Sequence, residues 1–253
     1  MGNIEIIGLH GLPEFDTSHD LPKLIYESAL SSAGGMKSGD VIVITQKIIS
    51  KVEGMVRDLL NVIPTPEALE LADKLGKDPR LVQMILEQSS EIIRTDFERG
   101  VLITESIHGF ICANAGIDSS NIEGDTKIAL LPRDSNASAK QILKELKILS
   151  GIDSIGVIIS DTFGRPWRDG HVNFAIGCAG MSPYIDYKDT VDAVGKVLKV
   201  TTIAVADELA AASELVTGKS LNIPVVLIRG VEFKPESQEA ESLLRPKEND
   251  LFR

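Results

Sequence analysis

Residues 157–170 read Val-Ile-Ile-Ser-Asp-Thr-Phe-Gly-Arg-Pro-Trp-Arg-Asp-Gly. The β-branched apolar run at 157–159 is typical of a strand buried on both faces, and it predicts that the strand stops before Asp161 and delivers a carboxylate to a loop. Carboxylate and hydroxyl oxygens bind divalent metals, glycine lets a ligand approach the backbone, and arginine binds anions. The segment therefore indicates a metal and phosphate site, although an ordinary glycine-rich turn with a solvated Arg and Asp has the same composition.

The composition is that of an ordinary globular chain of 253 residues, 43% hydrophobic and 25% charged, which is enough for one large domain or two small ones. With 26 basic and 37 acidic residues the net charge is −11, which disfavours broad binding to nucleic acid or anionic membranes. Apolar runs are too short to span a bilayer and no signal-peptide pattern is present, so we expect no membrane association and a cytoplasmic location. Cys112 and Cys178 lie far apart in apolar segments, which predicts buried free thiols.

Hydrophobic periodicity predicts the following elements. Strands are expected at residues 4–9, 41–44, 101–105, 109–113, 157–159, 172–178 and 224–228, with 200–205 as a possible partner of 172–178, and helices at 21–31, 136–150 and 207–216. Thr65-Pro66 and Asp78-Pro79 each place a capping residue before a proline, which predicts two further helices, the second with an apolar face that runs on to Ile92. We interpret this pair as a helical insertion near 65–93 in one module, 1–253, that could consist of two interleaved subdomains.

Polar groups follow two other apolar strands. Lys47 and Lys51 come just beyond the strand at 41–44, where ammonium groups could hold phosphates, although solvated lysines in a loop are the plainer interpretation. Asp118 follows the strand at 109–113. Neighbouring strands lie about 5 Å apart, so strand ends can bring Asp118 and Asp161 to one hard cation. Because the sequence carries no Ser–His or Cys–His pattern, it favours phosphoryl transfer, in which positioning and charge neutralisation dominate.

Residues 213–220 superficially resemble a phosphate-binding loop of the G-x-x-x-x-G-K-S type. They lack its first glycine and follow a predicted helix, whereas that loop leaves a strand and opens a helix. A G-x-G-x-x-G dinucleotide motif is also missing from the sequence. We therefore expect neither a P-loop nor a Rossmann fold.

Seven segments, spread over nearly the whole chain, match the motifs of one known family in that family's order. They are Gly11-Leu-Pro13, Ile49-Ser-Lys51-Val-Glu-Gly54, Asn114-Ala-Gly-Ile-Asp118-Ser-Ser-Asn121, Ile159-Ser-Asp161-Thr162-Phe-Gly-Arg165, Asn173-Phe-Ala-Ile-Gly177, Ala206-Asp-Glu208 and Val225-Val-Leu-Ile-Arg229-Gly230. The chain thereby resembles the coenzyme F-420-0:L-glutamate ligase (gamma-glutamyl ligase) family in its stand-alone form. The resemblance implies an α+β fold of mixed sheets with flanking helices and an intertwined homodimer.

The resemblance also implies an activity, which is GTP-dependent addition of L-glutamate to the phospholactyl carboxylate of coenzyme F-420-0, a deazaflavin acceptor. Further glutamates are joined through γ-linkages. A divalent metal, Mg or Mn, is implied as cofactor and is helped by potassium, with GTP as co-substrate. The γ-phosphate of GTP would convert the carboxylate to an acyl phosphate, which the amine of glutamate then attacks.

Carried over position by position, the resemblance assigns residues to roles. Asp118, Asp161 and Thr162 match metal contacts. The residues that match the nucleotide-binding segments are Leu12, Pro13, Glu14, Phe15, Gln46, Lys51, Asn121, Thr217, Gly218, Lys219 and Ser220. Lys51 and Arg165 could stabilise the transferring charge. Glu208 could accept the proton of the amine, although a helical Asp-Glu pair is more often a cap or a solvated face.

Around residues 217–223 the chain is shorter than relatives with a long glycine-rich loop and carries Lys219, which leaves the completion of a second metal site open. Two other functions also stay compatible with the residues. A metal-dependent phosphatase or hydrolase would use the same acids and lysines but would not need glutamate. A non-catalytic nucleotide- or deazaflavin-binding protein would not need a metal.

Overall fold

The structure is a computed structural model that describes residues 2–120, 122, 124–218, 221–235 and 240–251. Within these residues the chain forms six α-helices and twelve β-strands. The helices are α1 (Leu21–Ala33), α2 (Gln46–Val52), α3 (Pro66–Leu75), α4 (Pro79–Glu87), α5 (Ser135–Ser150) and α6 (Val205–Thr217). The strands are β1 (Glu5–Gly8), β2 (Asp40–Thr45), β3 (Val56–Asp58), β4 (Ser89–Asp96), β5 (Val101–Ser106), β6 (Ile111–Ala113), β7 (Lys127–Ala129), β8 (Ile155–Arg165), β9 (Arg168–Ala179), β10 (Ile185–Asp186), β11 (Thr202–Ile203) and β12 (Val225–Arg229).

A five-stranded sheet in the order β1-β12-β2-β8-β9 forms the centre of the molecule. Strands β2 and β8 are parallel, and the other neighbouring pairs are antiparallel. The apolar runs of β2, β12 and the first half of β8 are buried, as expected for strands covered on both faces. Helices α1, α2 and α5 pack on one face and α6 on the other. The predicted α+β class is confirmed, and the described residues form neither a Rossmann nor a P-loop arrangement.

The helices begin where capping residues predict them. Thr65 Oγ1 accepts a hydrogen bond from the N–H of Ala68 at 3.3 Å, and Asp78 Oδ1 accepts one from the N–H of Arg80 at 2.8 Å. Each cap precedes a proline at the start of its helix, α3 or α4. These side chains satisfy backbone donors that have no partner inside a first turn, which fixes where the two helices start.

Several predictions of secondary structure are wrong. Ile92 lies in β4 and not on α4, because α4 ends at Glu87 and the β-branched pair at 92–93 joins an antiparallel ladder with β5. The segment 200–205 does not pair with β9. Its residues Thr202–Ile203 pair instead with Ile185–Asp186, the strand that immediately precedes them in the chain, and α6 begins at Val205.

Strand β8 does not stop before Asp161. It continues to Arg165 because the antiparallel partner β9 pairs the backbone of the polar stretch, with Asp161 opposite Phe174 and Thr162 opposite Asn173. The predicted glycine-rich loop is therefore the outer half of a β-hairpin. Lys47 and Lys51 likewise lie on helix α2 and not in a loop.

Smaller elements pack beside the central sheet. The sheet β4-β5-β6 contains the hairpin predicted at 101–113, and β3 pairs with β7. Helices α3 and α4 cover apolar clusters of their own. Both cysteines are buried free thiols, as predicted. Among the described helices, none has the length and apolar character needed to cross a membrane.

A buried ion pair ties the start of β2 to the end of β12. Arg229 Nε and Nη2 donate to the two carboxylate oxygens of Asp40 at 2.9 and 2.8 Å, and Nη2 also donates to the carbonyl of Gly35 at 2.9 Å. The side chain of Asp40 is 0% exposed and that of Arg229 is 16% exposed. The bidentate fork thus fixes two central strands and the end of α1 at one point.

We predict that Arg229→Ala lowers stability by about 3 kcal/mol, because it leaves the buried carboxylate of Asp40 without its counter-charge. For a chain of this length the melting temperature should fall by roughly 6–12 °C. The control is Arg99→Ala, which removes a pair with Asp96 that is longer, 3.9 Å, and more exposed. Equal melting temperatures for the two variants would show that the pair does not hold the strands.

Candidate functional site

A cleft with a volume of about 530 Å³ lies at the carboxyl ends of the parallel strands β2 and β8. Thr45 and Ser160, which are paired across these strands, both line it. The loop 12–15, helix α2, the end of α6 and residues 222–224 form its other walls. Because parallel strands end at the same edge of a sheet, the polar residues that follow their apolar runs converge here.

Asp118 lies in the cleft and is paired with a lysine. Its Oδ2 is 2.8 Å from Lys47 Nζ, and the ammonium also donates to Ser120 Oγ at 2.5 Å. Burial raises the pKa of Asp118, but hydrogen bonds from Lys47 and Ser120 and the charge of Lys47 hold it below the ordinary value. Asp118 is therefore an ionised carboxylate at neutral pH.

Asp161 also lines the cleft. Its Oδ1 accepts a hydrogen bond from the N–H of Thr162 at 2.8 Å. Burial and the negative charge of Asp161 together raise the pKa of the Cys112 thiol to about 12. The carboxylate thus lies close to the buried thiol of Cys112 on β6, and that thiol is neutral at neutral pH.

The chain reaches Asp118 through a turn with unusual backbone angles. Asn114, Ala115 and Gly116 have φ values of 54°, 54° and 75° in succession. Positive φ is uncommon for alanine, and a Cβ at Gly116 would lie 2.9 Å from the side chain of Leu131. This turn therefore needs glycine at position 116, and its strain is stored directly beside a cleft carboxylate.

A hydrogen-bonded chain of side chains connects β8, β9 and α6 along the cleft. The Thr162 hydroxyl donates to Asn173 Oδ1 at 2.7 Å, Asn173 Nδ2 donates to Glu214 Oε2 at 3.1 Å, and the Thr217 hydroxyl donates to the same carboxylate oxygen at 3.0 Å. The Thr162 hydroxyl is thereby oriented by Asn173, which is itself held by Glu214.

Gln46 and Lys51 lie on the α2 side of the cleft. Gln46 is buried, its Oε1 accepts from Ser50 Oγ at 2.9 Å, and its Nε2 has no hydrogen-bond partner among the described residues. A buried donor without a partner is costly, which suits a group that a ligand satisfies. Lys51 forms an ion pair with Glu14, and its side chain is 12% exposed against 77% for Glu14.

The cleft collects most of the residues that the sequence nominates. The nominated residues that line it are Leu12, Pro13, Glu14, Phe15, Gln46, Lys51, Asp118, Asp161, Thr162, Thr217 and Gly218. Asn121, Lys219 and Ser220 lie outside the described residues. Arg165 and Glu208 do not line the cleft, because Arg165 donates to the Asp169 and Gly170 carbonyls at the hairpin tip and Glu208 is an exposed residue of the first turn of α6. Their catalytic roles stay predictions.

Sequence reasoning gave no site role to several polar residues that line the cleft, which are Thr45, Ser160, His171, Asn173, Glu214 and Asn222. His171 and Asn173 are two positions apart on β9, so the strand period places them on one face, opposite Gly164 and Thr162. Once β9 is known to pair with β8, this periodicity would have identified both. Glu214 carries no such signal, because a single acid in the last turns of a helix is usually solvated.

Comparison with known proteins agrees with this placement. The family model for F420-0:Gamma-glutamyl ligase matches residues 11–230. A protein from Methanothermobacter thermautotrophicus named coenzyme F420:L-glutamate ligase is 46% identical over 254 residues, which cover 99% of each chain. A protein of the same name from Methanocaldococcus jannaschii is 44% identical, and the alignment covers 99% of this chain and 97% of that protein. Another from Methanopyrus kandleri is 38% identical, and both chains are covered completely.

This chain belongs to the F420-0:gamma-glutamyl ligase family. The recognition made from sequence motifs is thereby confirmed. All residues that line the cleft fall within the part of the chain that the family model matches.

The register of the hairpin in this family member depends on a β-bulge at the cleft. Ile159 pairs with Gly177 and Ser160 with Ala175, so Ile176 is an extra residue on β9. Asp207 on α6 accepts a hydrogen bond from the N–H of Ala175 at 2.9 Å. Burial raises the pKa of Asp207, and the hydrogen bond from Ala175 offsets part of that rise.

We predict that Asp207→Asn is at least as stable as wild type at neutral pH. The raised pKa means that ionisation of Asp207 costs free energy in the folded state, whereas asparagine stays neutral and can still accept from Ala175. Below the unfolded-state pKa of 3.8 both states of wild type hold the proton, so this penalty vanishes there and grows as pH rises above 3.8. Denaturant unfolding over this pH range measures it.

Glu208→Gln serves as the control, since it changes the adjacent, exposed carboxylate. Its stability difference from wild type should change little over the same range. A stability advantage of wild type over Asp207→Asn that grows as pH rises would contradict the assignment.

Proposed function

We propose that this protein is a GTP-dependent ligase that joins L-glutamate to the phospholactyl carboxylate of the deazaflavin acceptor and adds further glutamates by γ-linkage. The observation that carries the proposal is the cleft itself. It brings the carboxylates of Asp118 and Asp161 and the hydroxyl of Thr162 together with two lysines and the buried amide of Gln46 at one sheet edge, in a chain of the gamma-glutamyl ligase family. An acid–amine ligase needs such a set, because phosphates and a carboxylate must be held together.

The cleft residues suit a hard divalent cation, which prefers oxygen ligands. Asp118, Asp161 and Thr162 offer oxygen ligands, which suit Mg or Mn. No described group of three or more His, Cys, Asp or Glu side chains could hold a metal ion, so phosphate oxygens of GTP and water would complete the coordination. Such an ion, when bound, would neutralise charge on the transferring phosphate. Lys47, now paired with Asp118, would turn to the phosphates.

The proposed reaction has two balanced steps. The acceptor carboxylate attacks the γ-phosphorus of GTP, and the bond between that phosphorus and the oxygen bridging to the β-phosphate breaks. GDP is released, and the acceptor is now an acyl phosphate. The amine of glutamate then attacks the acyl carbon, phosphate leaves and one proton is released. Lys51 is proposed to hold charge on the transferred phosphoryl group and Gln46 Nε2 to donate to the nucleotide, since both lie on one side of the cleft.

Four further properties belong to the same proposal. Potassium assists the divalent metal, the protein acts as a homodimer, and it works in the cytoplasm. The roles of Arg165 in charge stabilisation and of Glu208 in proton transfer belong to the same proposal, although neither residue lines the cleft.

Phosphate release from GTP, followed with and without glutamate and the deazaflavin acceptor, tests the proposal. A ligase releases phosphate in step with amide formation and needs both co-substrates. A phosphatase or hydrolase would release phosphate without glutamate, and a binding protein would release none. Either of the last two results would overturn the proposed activity.

We predict that Asp161→Asn reduces glutamate addition by at least about a hundredfold, because outer contacts of metal sites alone contribute 10–100-fold and this change removes a ligand charge. Folding should survive, since asparagine retains the shape and an acceptor for the N–H of Thr162. Activity and melting temperature are measured with and without Mg or Mn. The control is Asp153→Asn, the same change at an exposed position before β8. Near-normal ligation by the Asp161 variant would make this carboxylate structural.

We predict that Lys51→Ala raises the KM for GTP about tenfold or more, because a charge-assisted contact to phosphate is lost. Its melting temperature should change little, since the pair with the exposed Glu14 contributes little to folding. The control is Lys74→Ala, which removes a more exposed lysine–glutamate pair with Glu70 on α3, outside the cleft. If both variants bind GTP alike, Lys51 does not contact the nucleotide.

A further inference from the structure

Trp167 has an unusual place in the turn between β8 and β9. It is the only tryptophan of the chain, and it is 86% exposed. Its φ is +64°, in the left-handed region that bulky side chains rarely adopt. A proline followed by a residue with positive φ is the arrangement of a type II turn, which favours glycine or asparagine at that second position. The tryptophan therefore adopts a backbone conformation that glycine would adopt without strain.

The turn that carries Trp167 is held in place. The Arg165 guanidinium donates from Nη2 to the carbonyl of Asp169 at 2.5 Å and from Nε to the carbonyl of Gly170 at 3.4 Å. Further down the hairpin, Phe163 stacks on Phe174 with ring centroids 5.8 Å apart. The indole is therefore presented on a braced support, as a binding group requires.

The hairpin leads from the cleft to Trp167. Thr162 and Asn173 form one cross-strand pair, and Gly164 and His171 form a pair further out, with His171 still lining the cleft. A Cβ at Gly164 would meet nothing within 4 Å, so the hairpin surface is open there. Thr162 and Arg165 are three residues apart on β8, about 10 Å at the rise of a strand, and Trp167 lies in the turn beyond Arg165. A ligand that touches both Thr162 and Trp167 therefore extends over about 10 Å of the hairpin.

We propose that Trp167 stacks on the deazaflavin ring of the acceptor while the acceptor's carboxylate lies in the cleft. This inference rests on the proposed function and names the part of the enzyme that recognises the acceptor. A deazaflavin is flat and aromatic, and an indole face stacks on such a ring. Arg168, exposed beside Trp167, supplies a guanidinium for the phosphate that links ring and carboxylate, although Asp169 beside it reduces the local positive charge.

The test compares Trp167→Ala, Trp167→Phe and Phe97→Ala in steady-state ligation. Phe97 is the matched control, since it is an aromatic residue, 49% exposed, in the turn between β4 and β5. Trp167→Ala should raise the KM for the acceptor about tenfold and leave the KM for GTP unchanged, as loss of one stacking contact predicts. Trp167→Phe should recover most of the affinity, and Phe97→Ala should behave as wild type.

Because Trp167 is the only tryptophan, its fluorescence reports this position alone. Emission should be quenched by the acceptor and also by the deazaflavin chromophore without phospholactate. Trp167→Gly should melt at or above the wild-type temperature, since glycine relieves the positive φ.

Three results would overturn the inference while wild type still ligates glutamate. They are an unchanged acceptor KM in Trp167→Ala, a Trp167→Gly variant that melts well below wild type, and fluorescence that depends on protein concentration but not on acceptor. The last result would place the indole against a second copy of the chain. Absence of ligation in wild type would instead reject the proposed function.

Discussion

The parallel pairing of β2 with β8 determines where chemistry can take place in this molecule. Antiparallel neighbours surround this pair, which is the only parallel one among the described strands, and the buried apolar segments of β2 and β8 end side by side, with Thr45 next to Ser160. Apolar residues occupy both strands up to that edge, and polar ones begin there. The fork from Arg229 to Asp40 anchors the opposite end of β2. The ion pair that stabilises the fold thus lies at one end of β2, and the polar residues of the cleft lie at the other.

The cleft is assembled at a cost in folding free energy. Gln46 Nε2 is buried without a described partner, and Asn114 and Ala115 adopt positive φ in the turn that leads to Asp118. Each feature destabilises the folded chain by itself, and the fully buried strands of the central sheet offset them. A ligand that satisfies the amide of Gln46 therefore finds its donor already oriented.

Much of the fold follows from the sequence where local signals agree with one another. The caps at Thr65 and Asp78, the apolar runs of β2 and β12 and the hairpin at 101–113 could be predicted because each depends on neighbours in the chain. The end of β8 could not, because a strand continues through polar residues when a partner pairs its backbone. The strand at Ile92 was missed for the same reason, since ladder pairing outweighed a helical pattern.

The site was predictable in a similar, partial way. Residues that come shortly after apolar runs, such as Asp118 and Lys51, could be predicted as site candidates from their position in the chain. Family motifs identified Thr162 and Gln46. Residues that reach the cleft from a different element give no local signal. Glu214 enters from the end of α6, and its partner Asn173 belongs to a strand on the far side of the hairpin.

The bulge at Ile176 divides the hairpin into two parts that can change independently over evolutionary time. At its base, gain or loss of one residue would exchange the faces of β9 and move Asn173 and His171 away from the cleft, so chain length there is fixed. Beyond Gly164 the two strands pair only with each other, Arg165 opposite Arg168. Residues 166–169 can therefore be lengthened, shortened or replaced without altering the polar residues of the cleft. If Trp167 contacts the acceptor as proposed, descendants of this chain could acquire a new acceptor through changes at the end of one hairpin, while the residues of the cleft stay as they are.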